Sequence, residues 1–194
     1  RRVRDYADVK GSGTITHDGV LLSGFAPHEI VRRGIVQVPE GRQVLADMTV
    51  RENLEFALRQ SKVKDKAEID KLVEEALDNV GLKEAIDKMP SELSGGMRKR
   101  AGLARTIIMQ PELILYDEPT TGLDPITSRE ISELILEIQK KYKTSSLIIT
   151  HDIECAKITA NRIIVLRDGV VTAEGTFEEL ENSEDEWVRS FFNK

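Results

Sequence analysis

Two carboxylates stand side by side at the end of an apolar run, LILYDEP at 113–119, and that pairing suits metal-assisted chemistry on a phosphate. Four apolar residues leading into Asp117 and Glu118 read as a buried strand whose carboxyl edge carries the acids, and open α/β sheets bind their ligands at that edge. Asp117 there could hold Mg²⁺, often through water, because this cation takes oxygen ligands and keeps several of its waters. Glu118 beside it could orient or deprotonate a water attacking a phosphate. The same pair also reads as solvated acids closing a strand, and the pair alone does not choose.

Three further segments carry chemistry. In LSGGM at 93–97, Ser94 suits a helix N-cap, and Gly95 and Gly96 expose backbone N–H groups at the positive end of a helix to an anion; an ordinary glycine-rich helix start fits them as well. In IITHD at 148–152, His151 follows a second apolar run and could hydrogen-bond a phosphate oxygen or hold a water, though a histidine there is also often structural. TGLDP at 121–125 forms a turn directly after the acid pair.

The elements that must position these residues follow from periodicity. Residues 13–17 alternate into a strand before the Asp18-Gly19 turn, and 27–33 form one or two helical turns with Pro27 near the start. A short strand at 34–38 ends at Pro39. Helices are predicted over 49–60, opened by a Thr49/Glu52 capping box, over 67–80, stopped by Gly81, and from Ser94 towards Met109. Beyond them, strands at 113–116 and 146–150 alternate with helices at 126–142 and near 152–160. A hairpin turns at Asp168-Gly169, and Thr176/Glu179 cap a short C-terminal helix. Strands separated by helices imply an α/β fold with a mainly parallel, helix-covered sheet.

Bulk composition narrows the class. The 194 residues are 40% hydrophobic and 32% charged, which excludes a disordered chain. The net charge of −6 comes with no basic block, so no nucleic-acid partner is expected. The single cysteine, Cys155, excludes an internal disulfide, and with no signal-like start a reducing cytosolic setting is the default. No apolar run approaches the roughly 20 residues of a membrane span, so any membrane link is expected to run through a partner.

Taken in order, LSGG, the apolar run into Asp-Glu-Pro, Gly-Leu-Asp, and His-Asp after a strand resemble the signature sequence, Walker B, D-loop and H-loop of ABC ATPases, and the resemblance extends over nearly the whole chain. It implies a P-loop NTPase-like α/β core at 1–48 and 111–194 with an inserted helical subdomain at 49–110, which faces the transmembrane permease subunits. It further implies ATP and Mg²⁺ as ligands and head-to-tail pairing with a second ABC ATPase subunit. By this resemblance Asp117 serves Mg²⁺, Glu118 is the general base or positions the water, and His151 touches the γ-phosphate. Ser94, Gly95 and Gly96 contact ATP on the opposite subunit, and Asp124 lies at the dimer seam. Counting back from TVRENL at 49–54, the position where most members have the Q-loop glutamine is Glu40, with Gln37 as a second candidate. The implied location is cytoplasmic, peripheral on the inner face of the membrane.

The sequence departs from the family pattern in one respect: no G-x-x-x-x-G-K-[ST] occurs, and the glycine cluster at 10–13 has the wrong order. The family's phosphate loop would fall before residue 1. The expectation is therefore a truncated ATPase lacking its N-terminal strand and P-loop, with an exposed sheet interior and poor ATP binding alone. The alternative is a regulatory or dimerisation module that completes a composite site with an intact partner. Residues 27–54 resemble ATPases of branched-chain amino-acid importers, whereas 89–126 resemble those of envelope lipid-trafficking systems.

Overall fold

In the computed structural model, residues 13–40, 44–59, 63 and 65–193 are described. Most of the 10–13 glycine cluster and the 41–43 stretch after Glu40 lie outside them. The chain divides into two units, Arg1–Arg33 and Gly34–Lys194. The first holds an antiparallel hairpin, β1 (Thr16–His17) and β2 (Val20–Leu21), followed by α1 (Pro27–Arg32). The hairpin turn has Asp18 and Gly19 at φ of 48° and 75°, the paired left-handed conformations that a two-residue connection requires.

The second unit is built on three parallel strands: β3 (Ile35–Val38), β4 (Leu113–Asp117) and β5 (Ser145–Ile149), with β4 in the centre. Between β3 and β4 come α2 (Val50–Leu58), α3 (Lys66–Asp78) and α4 (Gly95–Ile107). The capping box that opens α2 is formed as expected: Thr49 N–H donates to Glu52 Oε2 at 2.7 Å, and Glu52 N–H donates to Thr49 Oγ1 at 3.2 Å. Gly81, at φ 66°, turns the chain after α3. The helical block and the sheet share one core, in which Leu54, Leu77, Ile107, Ile114, Ile135 and Ile138 are each almost fully buried.

The sheet has unequal faces. Ile114 and Tyr116 on β4 join that core, whereas on the opposite face Leu147 and Ile149 of β5 are each 54% exposed. Strand alternation and the pairing of Leu115 with Leu147 and Asp117 with Ile149 put these four residues on the open face. Among the described residues, none buries the apolar side chains of Leu147 and Ile149.

From β4 the chain continues through α5 (Pro125–Tyr142) to β5, then α6 (Ile153–Thr159) and an antiparallel hairpin of β6 (Ile163–Arg167) and β7 (Val170–Gly175). Asp168 and Gly169, at φ 51° and 80°, repeat the turn solution of the first hairpin. Two short helices, α7 (Phe177–Glu181) and α8 (Glu186–Phe192), close a second small core of Val165, Leu180, Val188 and Phe192. Among the described residues no helix is long and apolar enough to cross a membrane.

Candidate functional site

Parallel pairing of β4 and β5 brings their carboxyl ends to the same edge, and one further bond extends the ladder: Glu118 N–H donates to Ile149 O at 2.9 Å. Glu118 therefore begins the loop after β4 beside His151, the second residue past the end of β5. Glu118 Oε1 and His151 Nδ1 meet at 2.9 Å. The hydrogen bond with Glu118, and then its charge, raise the imidazole above its ordinary pKa, with Asp152 and Glu40 adding to the effect. The pair is asymmetric in exposure: the Glu118 side chain is 18% exposed and that of His151 75%. A largely shielded carboxylate beside a solvent-facing imidazole is suited to holding a water and passing its proton.

Glu118 is anchored on all sides. Its backbone adopts φ 47°, a left-handed conformation that costs a non-glycine residue about 1 kcal/mol and needs fixing by its surroundings. Lys99 Nζ, from α4, donates to Glu118 O at 2.9 Å, and Thr121 Oγ1 donates to Glu118 Oε2 at 3.0 Å. Burial lowers the pKa of the Lys99 ammonium, while the charges of Glu40, Glu118 and Asp117 oppose that. Sequence reasoning missed both residues. Lys99 sits in an Arg-Lys-Arg run that reads as a solvated face, and Thr121 in a turn with no signature of its own.

Asp117, at the end of β4, is partly exposed, and its carboxylate accepts no hydrogen bond among the described residues. An oxygen donor with open lone pairs at a sheet edge fits Mg²⁺ or a water bound to it. Asp152 has a different task from its neighbour His151. It caps α6 by accepting from Glu154 N–H and Cys155 N–H at 3.0 and 3.2 Å, and its other oxygen accepts from Thr120 Oγ1 at 2.8 Å. This bond ties together the loops that carry Glu118 and His151. An adjoining cleft of about 400 Å³ is lined by Thr121, Leu123, Arg129, His151, Asp152 and Glu154, among others.

The glycine-rich helix start is built as foreseen, with an added packing reason. Ser94 caps α4 by accepting from Met97 N–H at 3.2 Å. A Cβ on Gly96 would lie 2.6 Å from Thr127 Cγ2, and one on Gly95 would lie 3.3 Å from Leu123 Cδ2. The glycines thus let α4 approach the start of α5 closely. Asp124 caps α5: its Oδ1 accepts from Ile126 N–H and Thr127 N–H, and its Oδ2 from Thr127 Oγ1 at 2.6 Å. These bonds, that of the Thr127 side chain foremost, hold its pKa below the usual carboxylate value. Glu40 borders a smaller cleft of about 200 Å³ with Gly95, Lys99, Thr121 and Leu123. Gln37, on β3 opposite Leu115, belongs to the open sheet face.

The profile described as "ABC transporter" matches residues 7–121. Among curated proteins, the methionine import ATP-binding protein MetN of Streptococcus pyogenes serotype M3 is 35% identical over 183 residues, covering 90% of this chain and 51% of its own length. Its counterpart from serotype M28 is 34% identical over the same span. The chain thus spans about half the length of the curated relatives it matches. Among solved structures, the ATP-binding cassette MJ0796, a dimer in a post-hydrolysis state bound to ADP and Pi, aligns with a TM-score of 0.72 at 28% identity, covering 82% of this chain and 71% of that one. The strand-edge acids, the capped glycine-rich helix and the profile match together mean that this chain belongs to the ABC transporter family.

Proposed function

We propose that this chain acts as the ATP-hydrolysing part of an ABC transporter, coupling hydrolysis to transport across a membrane. The observation that carries this reading is the 2.9 Å contact between Glu118 Oε1 and His151 Nδ1 at the ends of two parallel strands. Glu118 aims the attacking water and takes its proton, and His151 contacts the γ-phosphate. Asp117 would hold Mg²⁺, and Glu40, or Gln37 as the second candidate, would accept from a water on the metal. When bound, the metal neutralises charge developing on the phosphate oxygens. Ser94, Gly95 and Gly96 turn their donors towards ATP on a second ABC ATPase subunit, and Asp124 lies at the seam between the two. Residues 49–110 form the helical subdomain, which meets transmembrane permease subunits from the cytoplasmic side of the membrane. The methionine-import names of the relatives support import as the direction.

A second reading has its own observation. These 194 residues contain no G-x-x-x-x-G-K-[ST], so a cradle for the β- and γ-phosphates must come from outside them. If an intact partner supplies it, this chain serves as a regulatory module that lends its Ser94 loop to a composite site. ATP hydrolysis by the chain assembled with a P-loop-bearing subunit separates the two readings. The catalytic reading expects Glu118→Gln to keep ATP binding while hydrolysis falls by about 100-fold or more. Unchanged hydrolysis in Glu118→Gln, together with its loss in Ser94→Arg, would overturn that reading in favour of the module.

A further inference from the structure

We propose that Thr121 is a positioning residue for Glu118, its hydroxyl fixing the plane of the carboxylate that His151 holds from the other side. The inference deepens the reading of Glu118 as the group that directs the attacking water. A terminal carboxylate torsion is broad and roughly two-fold, so one donor leaves the second oxygen free to swing. In this protein each oxygen has its own donor: His151 at 2.9 Å from Oε1 and Thr121 Oγ1 at 3.0 Å from Oε2. The backbone of Glu118 is held independently by Ile149 O and Lys99 Nζ, so the Thr121 bond governs the side chain and not the chain path. Thr121 is itself exposed, in the loop that joins β4 to α5, so its hydroxyl is not needed to satisfy a buried group. Its position three residues after Glu118 brings a side-chain donor back to the acid across a single turn.

The test reads His151 directly. In the full chain labelled with ¹⁵N-histidine, at a pH where the imidazole is neutral, the ring nitrogens report which of them carries the proton. A correctly aimed Glu118 selects the Nδ1–H form, and Glu118→Ala supplies the signature of the unheld ring. We expect Thr121→Val, which keeps the shape and removes the donor, to shift His151 towards the Glu118→Ala signature, and Thr121→Ser to restore the parent's. An unchanged ring in Thr121→Val, a loss that Thr121→Ser does not repair, or a parent ring identical to that of Glu118→Ala would each overturn the proposal. In the hydrolysing assembly, Thr121→Val lowers kcat with KM unchanged; a kcat equal to the parent's overturns it too. Hydrolysis that ignores Glu118→Gln removes instead the catalytic reading of Glu118, a result the tautomer measurement does not depend on.

Discussion

Lys99 Nζ donates to the backbone carbonyl of Glu118 across 2.9 Å, joining the helix that starts at the Ser94 cap to the residue that faces His151. The ammonium is half-buried, and desolvation outweighs the pull of Glu40, Glu118 and Asp117 on its proton. A half-buried charge on such terms adds little to stability. Lys99→Met, which keeps the apolar stem, is therefore expected to leave the unfolding free energy within about 1 kcal/mol of the parent or to raise it. A loss of more than about 2 kcal/mol in urea titrations would show that the ammonium holds the fold together instead.

The imidazole of His151 gives a pH signature. Its folded pKa lies above the ordinary 6.5 because Glu118 bonds and charges it. Such a group contributes its stabilisation fully below the unfolded value and loses it as pH rises through the folded one. Proton NMR titration should place His151 above 6.5, and Glu118→Gln should bring it down towards that value. A midpoint indifferent to Glu118→Gln would rule out the pair as the cause.

Much of this architecture is legible in the sequence because local chemistry dictates it. The Thr49/Glu52 box, the Asp-Gly turns and the strand ending in Asp117 each carry their own signal. The Glu118–His151 pair follows once two apolar runs are read as parallel neighbours. The rest depends on distant residues. Lys99 leaves the solvent only because α4 packs near Glu118, and the need for glycine at 96 is set by Thr127, thirty-one positions along the chain. The helix α8, seven residues long, is too short to show a period; its start is marked by Asp185, which accepts from Trp187 N–H and Val188 N–H. Leu147 and Ile149 have the sequence of a buried strand and yet are more than half exposed, because apolar pattern records what a strand is suited to and not what covers it.

Asn53 is fully buried and satisfies the segment before α2. Its Oδ1 accepts from Leu45 N–H at 2.6 Å, and its Nδ2 donates to the carbonyls of Leu45, Met48 and Thr49. Asn53→Ala should cost about 2–4 kcal/mol, because it strands several backbone groups at once and leaves a cavity. Chemical denaturation at neutral pH measures this, and a cost below about 1 kcal/mol would mean that water replaces the amide at little expense.

Gly96 gives the sharpest steric test. A methyl at this position would sit 2.6 Å from Thr127 Cγ2, closer than carbon atoms approach, so the start of α4 or the start of α5 must move. Alanine is intrinsically the better helix former by up to about 1 kcal/mol, which partly offsets the clash. Even so, Gly96→Ala is expected to destabilise by about 1–3 kcal/mol, the usual cost of overpacking. Gly95→Ala, whose Cβ would meet only the flexible end of Leu123 at 3.3 Å, should be near neutral. Thr127→Ser removes the offending methyl and keeps the hydroxyl that Asp124 accepts, so it should recover most of the Gly96→Ala loss. A double-mutant cycle in thermal unfolding reads the coupling. Additive losses would place the strain of Gly96→Ala somewhere other than the α4–α5 contact.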